Sequence, residues 1–391
     1  DGRIASVGPG ALVPRPEAVP SQHLAGTAVI PGLVNSHTHL ELTDLTSRLD
    51  EPEFPDWIRS VRRLKTGRTP PEFLTAATEG LRRCLGSGVT TVADTGDSGA
   101  TMEALRVMGG SGIAYHEVFG PDPAQLEESM AGLVTDLDRL RPLETSRARL
   151  GVSPHAPYSV SGPLYRASAR LAREMGLPIA VHVAESAAES ALLATGTGPF
   201  ADLWRRRSIP LPDAVAQLPA ESGAVSPIRW LDHHGVLGPD TLCIHAIRVD
   251  ATDLELLRER GAAVAHCPLS NARHGHGWAP VDRMLEAGLR VGLGTDSELS
   301  IGPLDLWAEA RAVRDRFGLS ADLVLRMLTL GGAAAIGMEA AVGSLVAGKW
   351  GDLVAVSLGG PCSAEALAGR LLERGGMGVS GVWLGGRLAL P

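Results

Sequence analysis

Lysine is nearly absent. The 391-residue chain carries Lys65 and Lys349 and no others, every remaining basic position being arginine. Cysteine is sparse as well, with Cys84, Cys243, Cys267 and Cys362 far apart and no Cys-x-x-Cys spacing. That pattern gives neither a disulfide framework nor a cysteine-held structural zinc, and it suits a reducing compartment. No apolar run reaches the length of a membrane span, so no membrane partner is expected. Excess positive charge is missing too. The net charge is -8, and a surface of that sign does not track nucleic-acid phosphates. What precedes Asp1 is unseen, and the expectation is a cytoplasmic protein.

What is present is an ordinary globular composition, 44% hydrophobic and 20% charged, in a chain long enough for one large domain and a small one. Short apolar runs alternate with longer amphipathic stretches. Strands are expected at 28–35, 90–94, 113–119, 149–153, 179–183, 241–245, 263–266 and 290–294, with helices such as 71–85, 162–175 and 251–260 between them. Eight such units predict an α/β fold, a (β/α)8 TIM barrel. An open doubly wound sheet has the same alternation, but polar residues at several strand ends need a closed ring to converge. The two ends of the chain differ. A hairpin entering a short strand at 1–8, and short strands at 343–345, 351–356 and 381–384, predict a small β-sandwich formed by both termini. The expected division is 1–30 and 338–391 for the sandwich and 31–337 for the barrel. The Pro-, Gly- and Arg-rich stretch 196–237 is too long for a plain connector and reads as a lid or substrate-binding segment.

The chemistry sits at strand ends. Pro31-Gly32-Leu33-Val34-Asn35-Ser36-His37-Thr38-His39 is an apolar strand closing on two histidines one residue apart, which point to one side and can share a metal ion. His182 ends the fifth expected strand and Asp296 the eighth, so a barrel rim would collect His37, His39, His182 and Asp296 around one divalent ion. Imidazoles plus a carboxylate suit catalytic zinc, with ferrous iron as the alternative. Glu185, three residues after His182, can relay protons between water and substrate. His245 can hold the hydroxide, polarise the reacting centre, or serve as a further ligand. His155 is a candidate for touching substrate, and Trp57 for stacking on a base. His266 is read as ordering its loop, and His274 and His276 as loop residues without a role.

These motifs resemble the amidohydrolase superfamily, in its mononuclear zinc aminohydrolase branch. The resemblance rests on His37-Thr38-His39, Ser153-Pro154-His155-Ala156-Pro157-Tyr158, His182-Val183-Ala184-Glu185, Ile244-His245-Ala246, His266-Cys267-Pro268-Leu269-Ser270-Asn271 and Gly294-Thr295-Asp296-Ser297, which occur in family order along the whole barrel. It implies one metal on His37, His39, His182 and Asp296, proton delivery to a ring nitrogen by Glu185, orientation of the attacking hydroxide by His245, and proton transfer from water to the leaving amine by Asp296. Binuclear relatives bridge two metals with a carboxylated lysine or a glutamate near the fourth strand. Lys65 and Lys349 are expected to lie nowhere near the end of that strand, and the segment offers His155 and no acid, so the sequence excludes a lysine-bridged pair.

The resemblance also narrows the substrate to a small aminated heterocycle or nucleoside. His37-Thr38-His39-Leu40-Glu41-Leu42 followed by Phe54-Pro55-Asp56-Trp57 looks most like the aminodeoxyfutalosine deaminases of menaquinone biosynthesis. Adenosylhomocysteine deaminases place a glutamate two residues before the equivalent tryptophan, where this chain has Pro55. The alternatives are a deaminase of S-adenosylhomocysteine, methylthioadenosine, adenosine or guanine, a triazine-type hydrolase, and, from another class, a catalytically silent scaffold. A homodimer is left open.

Overall fold

The computed structural model describes residues 1–13, 19–45, 49, 51–212 and 225–390. Thr27–Pro31 forms β1 and Leu33–Thr38 forms β2. Then follow β3 (Val89–Gly96), β4 (Ser111–Val118), β5 (Ala148–Pro154), β6 (Ile179–Val183), β7 (Thr241–His245), β8 (Ala263–His266) and β9 (Arg290–Leu293). Strands β2 to β9 are parallel neighbours in chain order, eight in one sheet. The ring is drawn together where Thr38 bridges Asp296, and where the Thr295 and Asp296 amides donate to the His37 carbonyl at 3.1 and 3.0 Å. This is the α/β barrel expected from the sequence.

Nearly every residue of these strands is buried, as parallel strands sandwiched between an inner core and outer helices must be. Alternation divides their side chains. Val34, Ile113, Ala180, Leu242 and Ile244 pack together with Ile336 and Met338 in one cluster, while Leu33, Val181 and Cys243 join the larger cluster shared with the helices. The helices Pro70–Gly86, Gly162–Glu174 and Ala251–Arg260 match the expected spans closely. The first of them opens on a capping box, with Thr69 and Glu72 satisfying each other's backbone amides.

The termini meet in a separate four-stranded antiparallel sheet, ordered β1, β10 (Leu353–Ser357), β11 (Val379–Leu384) and β12 (Arg387–Leu390). Several expectations need correction here. The single strand expected at 28–35 is two, β1 in the terminal sheet and β2 in the barrel, parted at Gly32. A side chain at Gly32 would collide with Thr90, its Cβ falling 1.9 Å from the hydroxyl oxygen, so the chain can change sheets only at a glycine. Residues 343–345 form no strand, because Gly343 turns with φ of 83°. Residues 1–8 make a single bridge, Arg3 to Trp350, against a glycine-rich turn instead of a strand. The stretch 196–237 is not one loop: it contains the helices Gly198–Arg206 and Pro227–His233, and residues 213–224 lie outside the described set.

Candidate functional site

The C-terminal rim of the barrel gathers His37, His39, His182, His245 and Asp296. Backbone irregularities aim them. β2 slips register against β3 between Asn35 and Thr38, where the two histidines emerge. His245 and Asp296 take left-handed φ values of 72° and 60°, uncommon for residues with a side chain. Since Ile244 faces the inner cluster, strict alternation would turn His245 outward, and the positive φ brings it back over the rim.

The Nε2 atoms of His37 and His39 each lie 3.6 Å from Asp296 Oδ1, and His182 Nε2 lies 3.3 Å from His39 Nε2. Tautomers follow from the other ring nitrogens. His39 Nδ1 is 2.9 Å from the Thr95 carbonyl and His182 Nδ1 is 3.1 Å from the His155 carbonyl. A carbonyl only accepts, so both Nδ1 atoms donate and both neutral rings present an Nε2 lone pair to the same point. Two lone pairs 3.3 Å apart repel unless a cation lies between them. Ligand nitrogens about 2.0–2.1 Å from a tetrahedral zinc stand roughly 3.3–3.4 Å apart, so the spacing fits the ion. Both ring nitrogens of His37 are buried with no hydrogen-bond partner, which also fits a site built for a ligand.

Electrostatics agree with that ligand state. Burial, aided by His37, pushes His39 down to about 4, and burial with the surrounding histidines pushes His182 well below its usual value. Burial alone would raise the Asp296 carboxyl, but the His37 ring 3.6 Å away, with the charges of His39 and His245 behind it, holds it well below the usual range. Ser270 Oγ donates to its Oδ2 at 2.6 Å and the Ser297 amide to its Oδ1 at 2.7 Å, fixing the carboxylate. Neutral imidazoles and an ionised carboxylate are what a divalent ion requires.

Glu185 sits just past β6, 3% exposed, its Oε1 3.6 Å from His245 Nε2. The turn is held by Glu189, whose carboxyl accepts from the Ala184 amide at 2.7 Å and the Glu185 amide at 2.9 Å. Burial, then the charges of Asp296 and Glu189, raises Glu185 well above the ordinary carboxyl range, the direction that suits a proton donor.

The amidohydrolase family matches residues 28–388. The chain belongs to that family. It is therefore a hydrolase acting on carbon–nitrogen bonds. A 5-methylthioadenosine/S-adenosylhomocysteine deaminase of Nitratidesulfovibrio vulgaris is 31% identical over 373 residues, covering 92% of this chain and 78% of its own. The aminodeoxyfutalosine deaminase of Deinococcus radiodurans is 33% identical over 322 residues, covering 81% and 75%. Among solved structures, an adenosine deaminase from Xanthomonas campestris with bound zinc superposes with a TM-score of 0.77, covering 93% of this chain and 80% of that one at 24% identity, a likeness of fold.

The remaining residues of this amidohydrolase rim fall into place unevenly. His155 follows β5, its Nδ1 2.7 Å from Ser159 Oγ and its ring 4.8 Å from that of His182, and burial lowers it to about 3. Trp57 stands further out, on the helix Phe54–Lys65, touching Phe54 and His274. It belongs to an apolar cluster with Phe54, Tyr158, Phe200 and Trp204 that includes the helix Gly198–Arg206. His266 takes a contact from Asn271 Nδ2 to its Nδ1 at 3.3 Å, within its own loop.

Three features escaped the sequence reading. His276 carries its Nε2 to 3.7 Å from Glu185 Oε1 and its ring onto Phe54, so it faces the site; its His-Gly-His spacing was the available signal. Glu117, at the end of β4, lies 3.9 Å from His155 Nε2 and forms with His155 and His182 a second group of converging ligand atoms. Within Tyr115-His116-Glu117-Val118 nothing local set it apart. Lys65 is remote from the fourth barrel strand in sequence but not in space. It pairs with Glu41 at 2.6 Å and Asp97 at 2.5 Å, and its charge is felt at Glu117 and His155. Those acids raise its pKa, so its amine stays protonated and unsuited to carboxylation. Among the described residues no helix is long and apolar enough to cross a membrane.

Proposed function

We propose that this amidohydrolase removes ammonia from an aminopurine nucleoside-like compound, with 6-amino-6-deoxyfutalosine, and so menaquinone biosynthesis, as the first candidate. The observation that carries the reading is the buried Glu185, 3.6 Å from His245, on the rim where His37, His39, His182 and Asp296 converge. Those four residues would hold one divalent ion, zinc by the donor set, and the ion would supply a water acidic enough to attack at neutral pH. Asp296 would take a proton from the attacking water. Glu185 would give its own proton to the ring nitrogen next to the carbon under attack, Asp296 would return the water's proton to the departing amine, and the proton left on the added oxygen would pass back to Glu185, so ammonia leaves, a ring carbonyl remains and both acids are restored. His245 orients the attacking oxygen, and His155 and Trp57 line the approach.

The named relatives support both leading substrates, methylthioadenosine or S-adenosylhomocysteine on one side and aminodeoxyfutalosine on the other. The reduced, scattered cysteines support a cytoplasmic setting. The test is ammonia release by zinc-loaded protein from aminodeoxyfutalosine, S-adenosylhomocysteine, methylthioadenosine, adenosine and guanine. A strong preference for the first is the expected result. Release from none of them would overturn deamination of aminopurines and move the search to triazine-like rings.

A further inference from the structure

Beside Glu185 lies a cavity of about 520 Å3. His276 belongs to both, its Nε2 reaching towards Glu185 while its ring lines the cavity. That imidazole is 7% exposed, and its Nε2 has no hydrogen-bond partner among the described residues. Ile247, Arg248 and Val249 stand just past His245 at the end of β7, and Trp278 stands two residues beyond His276, so the cavity leads away from the reacting centre with Ile247, Val249 and Trp278 as its apolar part and Ser226, Asp250 and Asp253 as its polar part. Its volume is in the range of small-molecule pockets.

Its charges are unequally engaged. Arg229 donates to both oxygens of Asp250 at 2.7 Å and lies 3.4 Å from Asp253, which also accepts from Ser226 at 2.6 Å. Those two acids are thus occupied. Arg248 is exposed and has no carboxylate within ion-pair distance among the described residues, although its charge is felt at His276. An exposed guanidinium without an ion-pair partner, in a cavity that also offers Ile247, Val249 and Trp278, is suited to a carboxylate on a partly apolar stem.

We propose that this cavity is the subsite for the substrate substituent remote from the amine, and that Arg248 selects substituents ending in a carboxylate. The proposal rests on the aminohydrolase reading, and its test can separate the two. Turnover is compared for a thioadenosine bearing a carboxypropyl chain and for the methyl ester of the same compound, on wild type, Arg248→Ala and Arg248→Lys. The wild type should prefer the acid, and Arg248→Ala should reduce the acid-to-ester ratio of kcat/KM by about 10- to 100-fold, mainly through KM. Arg248→Lys should recover part of that ratio. An unchanged ratio in Arg248→Ala overturns the proposal. If neither compound yields ammonia, the deaminase reading fails, and calorimetry with the same pair still reads the subsite. Preferential binding of the acid that Arg248→Ala abolishes sustains it, and equal or absent binding of both overturns it.

Discussion

At the N-terminal end of the barrel, Asp352 accepts from Arg147 at 2.6 Å, from Ser111 Oγ at 2.9 Å and from the Gly385 amide at 2.8 Å, fastening the terminal sheet to β4 and to the segment entering β5. At the opposite end Asp296 is buried to a similar degree, yet the polar atoms around it are left wanting: both ring nitrogens of His37, His245 Nδ1 and His276 Nε2 have no partner among the described residues. A buried polar group without a partner costs about 1–3 kcal/mol. Around Asp352 the Nη1 atom of Arg147 is likewise without a partner, but the other polar atoms there hold the chain together, while more of those around Asp296 are open to a ligand.

The sharpest way to break this contrast is at Glu185. Glu185→Gln keeps the shape and removes the acid, and should reduce kcat for ammonia release by about 10²- to 10⁴-fold with metal content unchanged. Near-normal turnover with metal in place would remove Glu185 from the chemistry. Next is His39→Ala, which should weaken metal binding by more than about 100-fold, exceeding the loss typical of outer partners. Elemental analysis showing full metal occupancy after dialysis would place the ion elsewhere.

The contrast is tested from the other end by Asp352→Ala. Arg147 is only 12% exposed, so its charge would be stranded, and unfolding free energy should drop by about 3–5 kcal/mol. Turnover per folded molecule should hold. A denaturant midpoint equal to that of wild type would show that the Asp352 cluster is not the fastening it looks to be.

The smallest effect concerns pH. A histidine whose folded pKa is lowered stays neutral until acid pH, and His39, at about 4, competes with no proton for metal between pH 6 and 8. Metal affinity measured against a chelator should change less than about tenfold over that window. Ordinary values of 6.5 at both His39 and His182 would weaken it by more than about tenfold at the acid end. A loss of that size would show that burial does not hold His39 and His182 neutral.

Much of this rim was legible in the sequence because strand ends are short-range signals. An apolar run closing on His37-Thr38-His39, or on His182, declares its direction and its last residue, and the parallel barrel does the rest. Gly32 was not legible as a sheet boundary, since its reason is Thr90, a residue of the neighbouring strand. His276 and Lys65 were missed for a related cause: each reaches the site from a loop or helix end whose course the local pattern does not fix. Glu117 was hidden by its own strand, where Tyr115-His116-Glu117-Val118 reads as continuous and the burial of its carboxyl depends on neighbours across the sheet.

The seam of the barrel has a consequence for how the protein comes into being. His37 accepts from the amides of Thr295 and Asp296, and Asn35 bonds Thr295 across 260 residues of sequence. The contact that joins the first barrel strand to the last is thus made by the same residues that would grip the ion. A chain still emerging from the ribosome, or one truncated before residue 296, has three of the four claws and no ring to hold them in place. On that reading, competence to react would arrive only with the residues that follow the final strand.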